Sequence, residues 1–202
     1  MASTVLPRVA RRLGTQRWVM HASGTILASD RAVRRITRGR NGVLDIAGLP
    51  SLELTVIGRK TGVPRTTSLL YVPNGDSILL IGSNWGSPEH PSWSANLRAA
   101  TVATVHVGGR RFPVTVTQIT GVERKRAWDT AVEFWPGYEM EHDLSGGRTF
   151  RVFELHPVTP TPQRLAAIRA ATSPRPRSPY TRPALAAAAV TVAALWWASR
   201  RE

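Results

Sequence analysis

The sequence predicts a mainly β fold with flanking helices, a small antiparallel barrel of about six strands in the α+β class. Short runs of aliphatic and β-branched residues fill residues 52–155, as is typical of strands. Asn74-Gly75 and Gly108-Gly109 separate neighbouring runs and are typical turns of antiparallel hairpins. No GxGxxG turn between a strand and a helix occurs, so we do not expect a doubly wound nicotinamide-binding domain.

The composition fits one globular domain with additional basic segments. The chain has 202 residues, of which 42% are hydrophobic, and its formal net charge is +14. Nine arginines lie in residues 1–40 and seven more follow Pro157, so much of the positive charge is terminal. The chain has no cysteine, which excludes disulfides, thiol catalysis and cysteine-ligated metals. No apolar segment follows the first basic residues, so we do not expect a signal peptide.

The N-terminal part is predicted to be helical. Residues 1–28 form a basic segment in which apolar residues recur among the arginines. A better-defined helix is predicted from Ser29, because Ser29 can cap it and Asp30 suits its first turn. Gly39 and Gly42 would end this helix.

The strands are predicted from apolar runs bounded by turn residues. Two helices interrupt them. One begins near Pro91, which suits a first helical turn, and the other covers residues 122–135, where Ala127, Trp128 and Ala131 share one face. The predicted strands have the sequences LELTVIG, TSLLYV, SILLIG, TVATVHV, RRFPVTVTQI and RTFRVFEL.

The C-terminal part differs in composition. Residues 159–182 are rich in Pro, Ser, Thr and Arg and are predicted to be a linker. Residues 183–202 contain an uncharged apolar stretch, 184–199, bracketed by Arg182 and Arg200. As a helix, 16 residues extend about 24 Å, less than the roughly 30 Å of a bilayer core. Trp196 and Trp197 beside arginines favour an interfacial anchor, and an Ala-rich helix that docks on a partner is the alternative.

The turn IGRKTGVPR, residues 57–65, carries three cations and no acid. Arg59 and Arg65 offer planar forks for phosphate or carboxylate, and Lys60 offers a mobile point charge. Gly62 allows backbone N–H groups to approach a ligand. We interpret this turn as an anion-binding loop, with a solvated loop as the alternative.

Two further segments carry candidate site residues. The segment IGSNWGSPEHPSWSANL, residues 81–97, has small and polar residues between a strand and a helix, which suits a planar heterocycle. Trp85 and Trp93 could stack on such a ring, and core tryptophans are the alternative. The segment FWPGYEMEHD, residues 134–143, contains Tyr138, a candidate proton donor or substrate wall. Its acidic residues are adjacent in sequence and cannot converge on one ion, so no metal site is predicted.

Taken together in order, these three segments resemble the deazaflavin-dependent nitroreductase and quinone reductase family. The resemblance runs from about Asp30 to Pro157. It implies a split β-barrel of the FMN-binding-like kind over residues 29–158, with coenzyme F420 as cofactor. It implies that the phosphate and glutamate tail of F420 is held by Arg59, Lys60, Thr61, Arg65 and Thr66. The other cofactor-binding residues that it implies are Gly82, Ser83, Asn84, Ser92, Trp93, Asn96 and Tyr138.

The resemblance also implies the reaction. Reduced F420 would give a hydride to a quinone, nitro or other conjugated acceptor, with Ser83 and Tyr138 as the catalytic residues. The chain departs from the family where Asn84 replaces a frequent Lys and where family tyrosines near Trp135 and Glu141 are absent. Because these changes reshape the substrate wall, nitroimidazole reduction is not expected.

Other functions stay open on sequence alone. A split barrel can bind FMN, or can carry a cofactor without turnover. The charge of +14 also suits nucleic acid, but the arginines lack the aromatic interleaving of RNA-binding segments. We expect a cytoplasmic protein whose basic and apolar ends can attach it to the anionic inner face of the plasma membrane. A homodimer is left open.

Overall fold

The computed structural model describes residues 49–169. The predicted N-terminal helices, most of the predicted linker and the apolar tail lie outside this range. The strands are β1 Ser51–Ile57, β2 Pro64–Leu70, β3 Val72–Asn74, β4 Ser77–Ile81, β5 Val102–Val107, β6 Arg110–Ile119 and β7 Val152–Pro157. The helices are α1 Ser92–Arg98, α2 Gly121–Phe134, α3 Gly137–Leu144 and α4 Pro162–Arg169, with a 3₁₀ turn at Asn84–Gly86.

The seven strands form one sheet in the order β2-β1-β5-β6-β7-β4-β3, and every neighbouring pair is antiparallel. The predicted fold class, a mainly antiparallel split β-barrel with flanking helices, is confirmed. Side chains of a strand alternate between the two faces of a sheet, and each face has its own core. Leu80 and Phe153 belong to a first core together with Ile168 of α4. Leu79 and Val152 belong to a second core with residues of α2 and α3.

The sheet has one strand more than predicted because the run TSLLYV divides at Tyr71. The backbone N–H of Tyr71 donates to the carbonyl of Pro50 at 3.1 Å. Its side chain is fully buried, and its hydroxyl donates to the carbonyl of Ile168 at 3.1 Å. The chain therefore turns a corner here and moves from pairing with β1 to pairing with β4.

The turn at Gly108-Gly109 is confirmed, since both glycines have positive φ. The turn predicted at Asn74-Gly75 lies one residue later in the structure. Asn74 pairs with Ser77, so the turn consists of Gly75 and the residue after it, and Gly75 alone has a positive φ, 60°. Asn74 extends β3 because its side-chain amide donates to Glu154 at 2.9 Å.

The helices differ from the prediction in two places. Residues 137–144, for which no helix was predicted, form α3. Residues 162–169, at the start of the predicted linker, form α4 and bury Ala167 and Ile168. The last strand begins at Val152, not at residue 148, because Arg148 turns toward a neighbouring loop. The two helices predicted near Pro91 and over residues 122–135 correspond to α1 and α2.

Candidate functional site

The basic turn between β1 and β2 has a fixed backbone and exposed cations. The N–H of Gly58 donates to the carbonyl of Val63 at 2.9 Å, and the N–H of Gly62 donates to the carbonyl of Gly58 at 2.8 Å. Gly62 has a φ of 68°, which glycine adopts without strain. The side chains of Arg59, Lys60 and Arg65 are exposed, and within residues 49–169 none of them forms an ion pair. The turn therefore offers positive charge that its own neighbours do not neutralise.

Helix α1 lies beside this turn. The backbone N–H of Arg59 donates to the side-chain oxygen of Asn96 at 3.2 Å. Ser92 and Asn96 are four residues apart in the helix and so lie on the same face. The structure thus brings the predicted residues of the turn and of the helix start to one edge of the fold.

Three predicted site residues make hydrogen bonds or packing contacts with other parts of the protein. The hydroxyls of Thr66 and Thr55 form a cross-strand hydrogen bond of 2.9 Å. Trp93 packs against the first core, where its ring lies 6.1 Å from that of Phe153. Tyr138 is only 3% exposed and belongs to the second core. Of these three, Trp93 and Tyr138 thus serve the packing of the fold.

Two arginines that sequence reasoning missed extend the positive charge. Arg98 ends α1, and Arg151 precedes β7. Partial burial lowers the pKa of the Arg151 guanidinium, and the charges of Arg98 and Arg59 lower it further. Arg151 is held in place because its guanidinium donates to the hydroxyl of Ser94 at 3.1 Å. Arg59 and Arg98, from distant parts of the chain, therefore lie close enough to Arg151 to repel it, which is an environment that an anion would stabilise.

The same charges act on a histidine in the adjoining loop. Burial lowers the pKa of His90, and the nearby Arg151, Arg148 and Arg98 lower it further. His90 Nδ1 lies 2.8 Å from a guanidinium nitrogen of Arg148, which can only donate, so Nδ1 is unprotonated. We call the four arginines, Arg59, Arg98, Arg148 and Arg151, the cationic cluster, and the neutral His90 lies beside it.

Arg148 also holds the loop of residues 82–90 in an unusual conformation. Asn84 and Trp85 have φ values of 55° and 56°, which non-glycine residues adopt at some cost in energy. The guanidinium of Arg148 donates to three carbonyl groups of this loop, and it lies 4.6 Å from the ring centre of Phe150. The acceptors are the carbonyl groups of Gly82, Ser83 and Ser87.

Ser83 adjoins a buried carboxyl group that the sequence analysis left without a role. Glu141 of α3 is 4% exposed and Ser83 is 8% exposed. Burial raises the pKa of Glu141 to about 7, and hydrogen bonding by the side chains of Ser83 and Trp135 opposes the rise. Burial, and then the charge of Glu141, raise the pKa of Tyr138 well above its ordinary value, so its phenol is neutral at physiological pH.

Helical spacing is the signal that could have revealed Glu141. Tyr138 and Glu141 are three residues apart, so a helix over this segment places them on neighbouring positions of one face. No comparable signal exists for Arg151, because it comes near Arg59 only through the fold.

The fold is a split β-barrel that carries the cationic cluster beside the basic turn. The profile of the family F420H(2)-dependent quinone reductase matches residues 29–155. The chain therefore belongs to this family of oxidoreductases.

Individual relatives show the same similarity. A protein named F420H(2)-dependent quinone reductase from Mycobacterium tuberculosis is 39% identical over 104 residues, which cover 51% of this chain and 70% of the relative. A solved structure described as an F420-H2 dependent reductase is 30% identical and has a TM-score of 0.48, covering 53% of this chain and 94% of its own. Another, described as a domain-swapped dimer, is 30% identical with a TM-score of 0.49, covering 53% of this chain and 80% of its own.

Proposed function

We propose that the protein transfers a hydride from reduced coenzyme F420 to a quinone or another conjugated acceptor, such as a nitro compound. The observation that carries this proposal is the cationic cluster beside the basic turn. F420 has a phosphate and several glutamates, so it is a polyanion. A group of arginines in which Arg59 and Arg98 repel Arg151 fits such a ligand, because binding would replace repulsion by charge-assisted hydrogen bonds.

The residues present can be divided between the two ends of the coenzyme. The exposed cations and the backbone N–H groups of the basic turn would hold its phosphate and glutamate tail, with Arg98 and Arg151 as additional contacts. The turn residues concerned are Arg59, Lys60, Thr61, Arg65 and Thr66. The planar ring would lie along Gly82, Ser83 and Asn84, with Ser92 and Asn96 at the helix start. When bound, the coenzyme supplies the hydride, and the protein supplies placement.

Ser83 and Tyr138 are the proposed catalytic residues, with different tasks. The hydroxyl of Ser83 would donate a hydrogen bond to the acceptor oxygen that gains negative charge. Tyr138 is buried and neutral. It would therefore line the site as a neutral side chain and would not act as an ionised group. Trp93 packs on the first core and would support the site from beneath.

The direct test is a titration of the purified full-length protein with F420, FMN and haem, followed by a screen of acceptors with the reduced F420 complex. We expect micromolar or tighter binding of F420 and oxidation of the bound reduced coenzyme by a quinone. Preferential binding of FMN would favour the FMN-dependent alternative. Tight F420 binding without turnover of any acceptor would favour a carrier, and failure to bind F420 would overturn the proposal.

We also propose that the protein works in the cytoplasm and attaches to the inner face of the plasma membrane through residues 183–202, where quinones dissolve. The support is the apolar stretch 184–199, its flanking arginines and the basic residues 1–40, which suit an anionic lipid surface. Within residues 49–169, no helix has the length and apolar character needed to span a bilayer.

The membrane proposal is tested by co-sedimentation with vesicles that contain anionic lipid. Deletion of residues 183–202 should reduce the bound fraction, and vesicles of zwitterionic lipid alone should bind less of the full-length chain. Equal sedimentation of the two chains would contradict this part of the proposal. Sedimentation equilibrium of the same samples measures whether the protein is a homodimer.

A further inference from the structure

His90 ends the loop of residues 82–90 and is held there by Arg148. The side chain of His90 is exposed, and its Nδ1 lies 2.8 Å from Nη1 of Arg148. The same guanidinium nitrogen donates to the carbonyl of Gly82 at 3.1 Å. The N–H of Gly82 in turn donates to the carbonyl of Arg151 at 2.8 Å. These hydrogen bonds link His90 both to the loop that would lie along the coenzyme ring and to an arginine that would hold its tail.

The contact with Arg148 fixes which nitrogen of the imidazole carries the hydrogen. A guanidinium can only donate hydrogen bonds, so Nδ1 accepts, and the hydrogen of the neutral ring is on Nε2. In the part of the chain that the structure describes, Nε2 forms no hydrogen bond with another residue. His90 therefore has an N–H donor of fixed tautomer that residues 49–169 do not use.

Helix α1, which follows His90, is fixed against the cationic cluster. The hydroxyl of Ser94 accepts from the guanidinium of Arg151 at 3.1 Å, and the side-chain oxygen of Asn96 accepts from the backbone N–H of Arg59 at 3.2 Å. Because these contacts hold α1 in place, the residue that leads into the helix also lies at the cluster. Burial lowers the pKa of His90, and three arginines of the cluster lower it further, so the imidazole is neutral at physiological pH.

We infer that His90 is a coenzyme-binding residue whose Nε2–H donates a hydrogen bond to an anionic oxygen of the phosphate of F420. This inference rests on the proposed function and adds one contact to it. The phosphate is the group concerned because it joins the ring-bearing part of the coenzyme to the glutamate tail, and His90 is linked to the residues proposed for both. A neutral donor suits this position, since it adds no charge beside Arg151, which Arg59 and Arg98 already repel.

The decisive experiment compares F420 binding and urea unfolding for two variants of the full-length protein, each of which keeps one function of the imidazole. In His90→Asn, the amide oxygen can take the place of Nδ1 and accept from Arg148, but no donor reaches the place of Nε2. Isothermal titration calorimetry should show an affinity about tenfold weaker, because a hydrogen bond to a charged group is lost. The midpoint of urea unfolding should be unchanged.

The second variant, His90→Gln, has the opposite properties. Its amide nitrogen can reach the place of Nε2 and donate, but Arg148 loses its acceptor. It should unfold at a lower urea concentration and keep an affinity within about threefold of the wild type. Equal losses of affinity in the two variants would overturn the inference, because His90 would then act only by holding Arg148. Undiminished affinity in His90→Asn would also overturn it.

The matched control is His156→Asn. His156 is an exposed histidine that lies five residues beyond Arg151 along β7, a distance of roughly 16 Å in a strand. The affinity of this variant should equal that of the wild type. A tenfold loss there would mean that replacing any histidine weakens binding, and the inference would fail.

Two further measurements identify the donor and the group that it binds. Because a neutral donor carries no charge, His90→Asn should keep the salt dependence of the wild type, and a shallower dependence would show that His90 binds as a cation. Coenzyme from which the glutamates have been removed keeps its phosphate and should show the same loss with His90→Asn. If the loss disappears, the contact is with a glutamate carboxylate, and the assignment to the phosphate is wrong.

A readout without coenzyme tests the tautomer. In protein labelled with ¹⁵N at histidine, the ring resonances of His90 are those absent from His90→Asn. Their chemical shifts should be those of a neutral imidazole with its hydrogen on Nε2, and the opposite tautomer would overturn the inference. Failure of the proposed function has a different signature, since the wild type itself would then not bind F420.

Discussion

Arg148 illustrates at the scale of one residue how the candidate site depends on a side chain that contacts no ligand in the proposal. Its guanidinium donates to the carbonyl groups of Gly82, Ser83 and Ser87. These carbonyls belong to the loop in which Asn84 and Trp85 hold positive φ. A single cation thus keeps the segment that faces the proposed ring in a conformation it would otherwise leave.

Arg148→Ala should lower the free energy of unfolding by about 2–4 kcal/mol, because hydrogen bonds to a charged group contribute roughly 1.5–3 kcal/mol each and their effects are not additive. Urea unfolding measures this change. Arg126→Ala is the control, since Arg126 makes only an exposed pair with Glu123 and should change stability by less than about 1 kcal/mol. Equal effects of the two substitutions would show that Arg148 does not hold the loop.

The double substitution Arg59→Ala with Lys60→Ala should weaken F420 binding by about a hundredfold, because each lost charge-assisted contact contributes roughly 1.5–3 kcal/mol. Arg151→Ala should weaken it by about tenfold on the same argument. Isothermal titration calorimetry measures both. Lys125→Ala with Arg126→Ala removes two exposed cations of α2 and should leave the affinity unchanged; a comparable loss there would show that general charge, and not the cluster, binds the coenzyme.

The raised pKa of Glu141 leads to a prediction about how the stability of the protein depends on pH. Its pKa in the folded state is about 7, against 4.5 as the ordinary value. The folded protein therefore keeps a proton that the unfolded chain releases between these values, so its contribution to stability is lost as pH rises from about 4.5 to 7. Glu141→Gln should be more stable than the wild type at pH 8, by up to about 3 kcal/mol, with the difference shrinking toward pH 5. A constant difference across this range in urea unfolding would contradict the assignment.

At the scale of secondary structure, the sequence predicted correctly those turns and helices that depend on neighbouring residues alone. Gly108 and Gly109 predicted a hairpin turn, and α1 and α2 followed from capping and periodicity. Helix α3 was missed because Pro136 and Gly137 suggested an interruption, although a proline before the first turn is compatible with helix formation. The division of the predicted second strand at Tyr71 was not predictable, because it depends on contacts with Pro50 and Ile168.

The contact between the 3₁₀ turn and α3 is tested by Gly86→Ala. The added Cβ atom would lie 2.8 Å from Leu144 Cβ, and the backbone there has a φ of 79°, so we expect a loss of about 2–5 kcal/mol from strain and overpacking together. Gly146→Ala is the matched control, because Gly146 has a φ of 73° and open space around it. It should lose only the strain contribution, about 1–3 kcal/mol. Equal losses in thermal unfolding would mean that the turn and the helix are not tightly packed.

At the scale of the whole molecule, only those parts of the candidate site that are contiguous in sequence could be predicted. The basic turn and the residues near Ser83 are short contiguous segments, so their chemistry could be recognised before the fold was known. The cationic cluster could not, since it collects the turn after β1, the end of α1, the segment after α3 and the residue before β7. In the sheet, β5 and β6 lie between β1 and β7, so only the folded structure shows that Arg59 and Arg151 are near one another.

The distribution of charge predicts a strong effect of salt on the coenzyme complex. With a net charge of +14 and exposed cations at the cleft, F420 affinity should fall steeply as ionic strength rises, because the screening length shrinks from about 10 Å at 0.1 M to about 3 Å at 1 M. The double variant at Arg59 and Lys60 should show a shallower dependence. If the affinity of the wild type for F420 did not depend on salt, electrostatic binding of the coenzyme would be contradicted.

The place of β7 in the sheet has a consequence for how the protein is made. Among the strands of residues 49–169, β7 is the last in sequence, yet it lies between β6 and β4. Without β7, the described strands fall into two groups, β2-β1-β5-β6 and β4-β3, because β7 is the strand among them that pairs with both β6 and β4. We expect that during translation the two groups stay unjoined until β7 emerges, each with an unpaired edge that chaperones can bind. The barrel closes only after the ribosome has delivered residues 152–157.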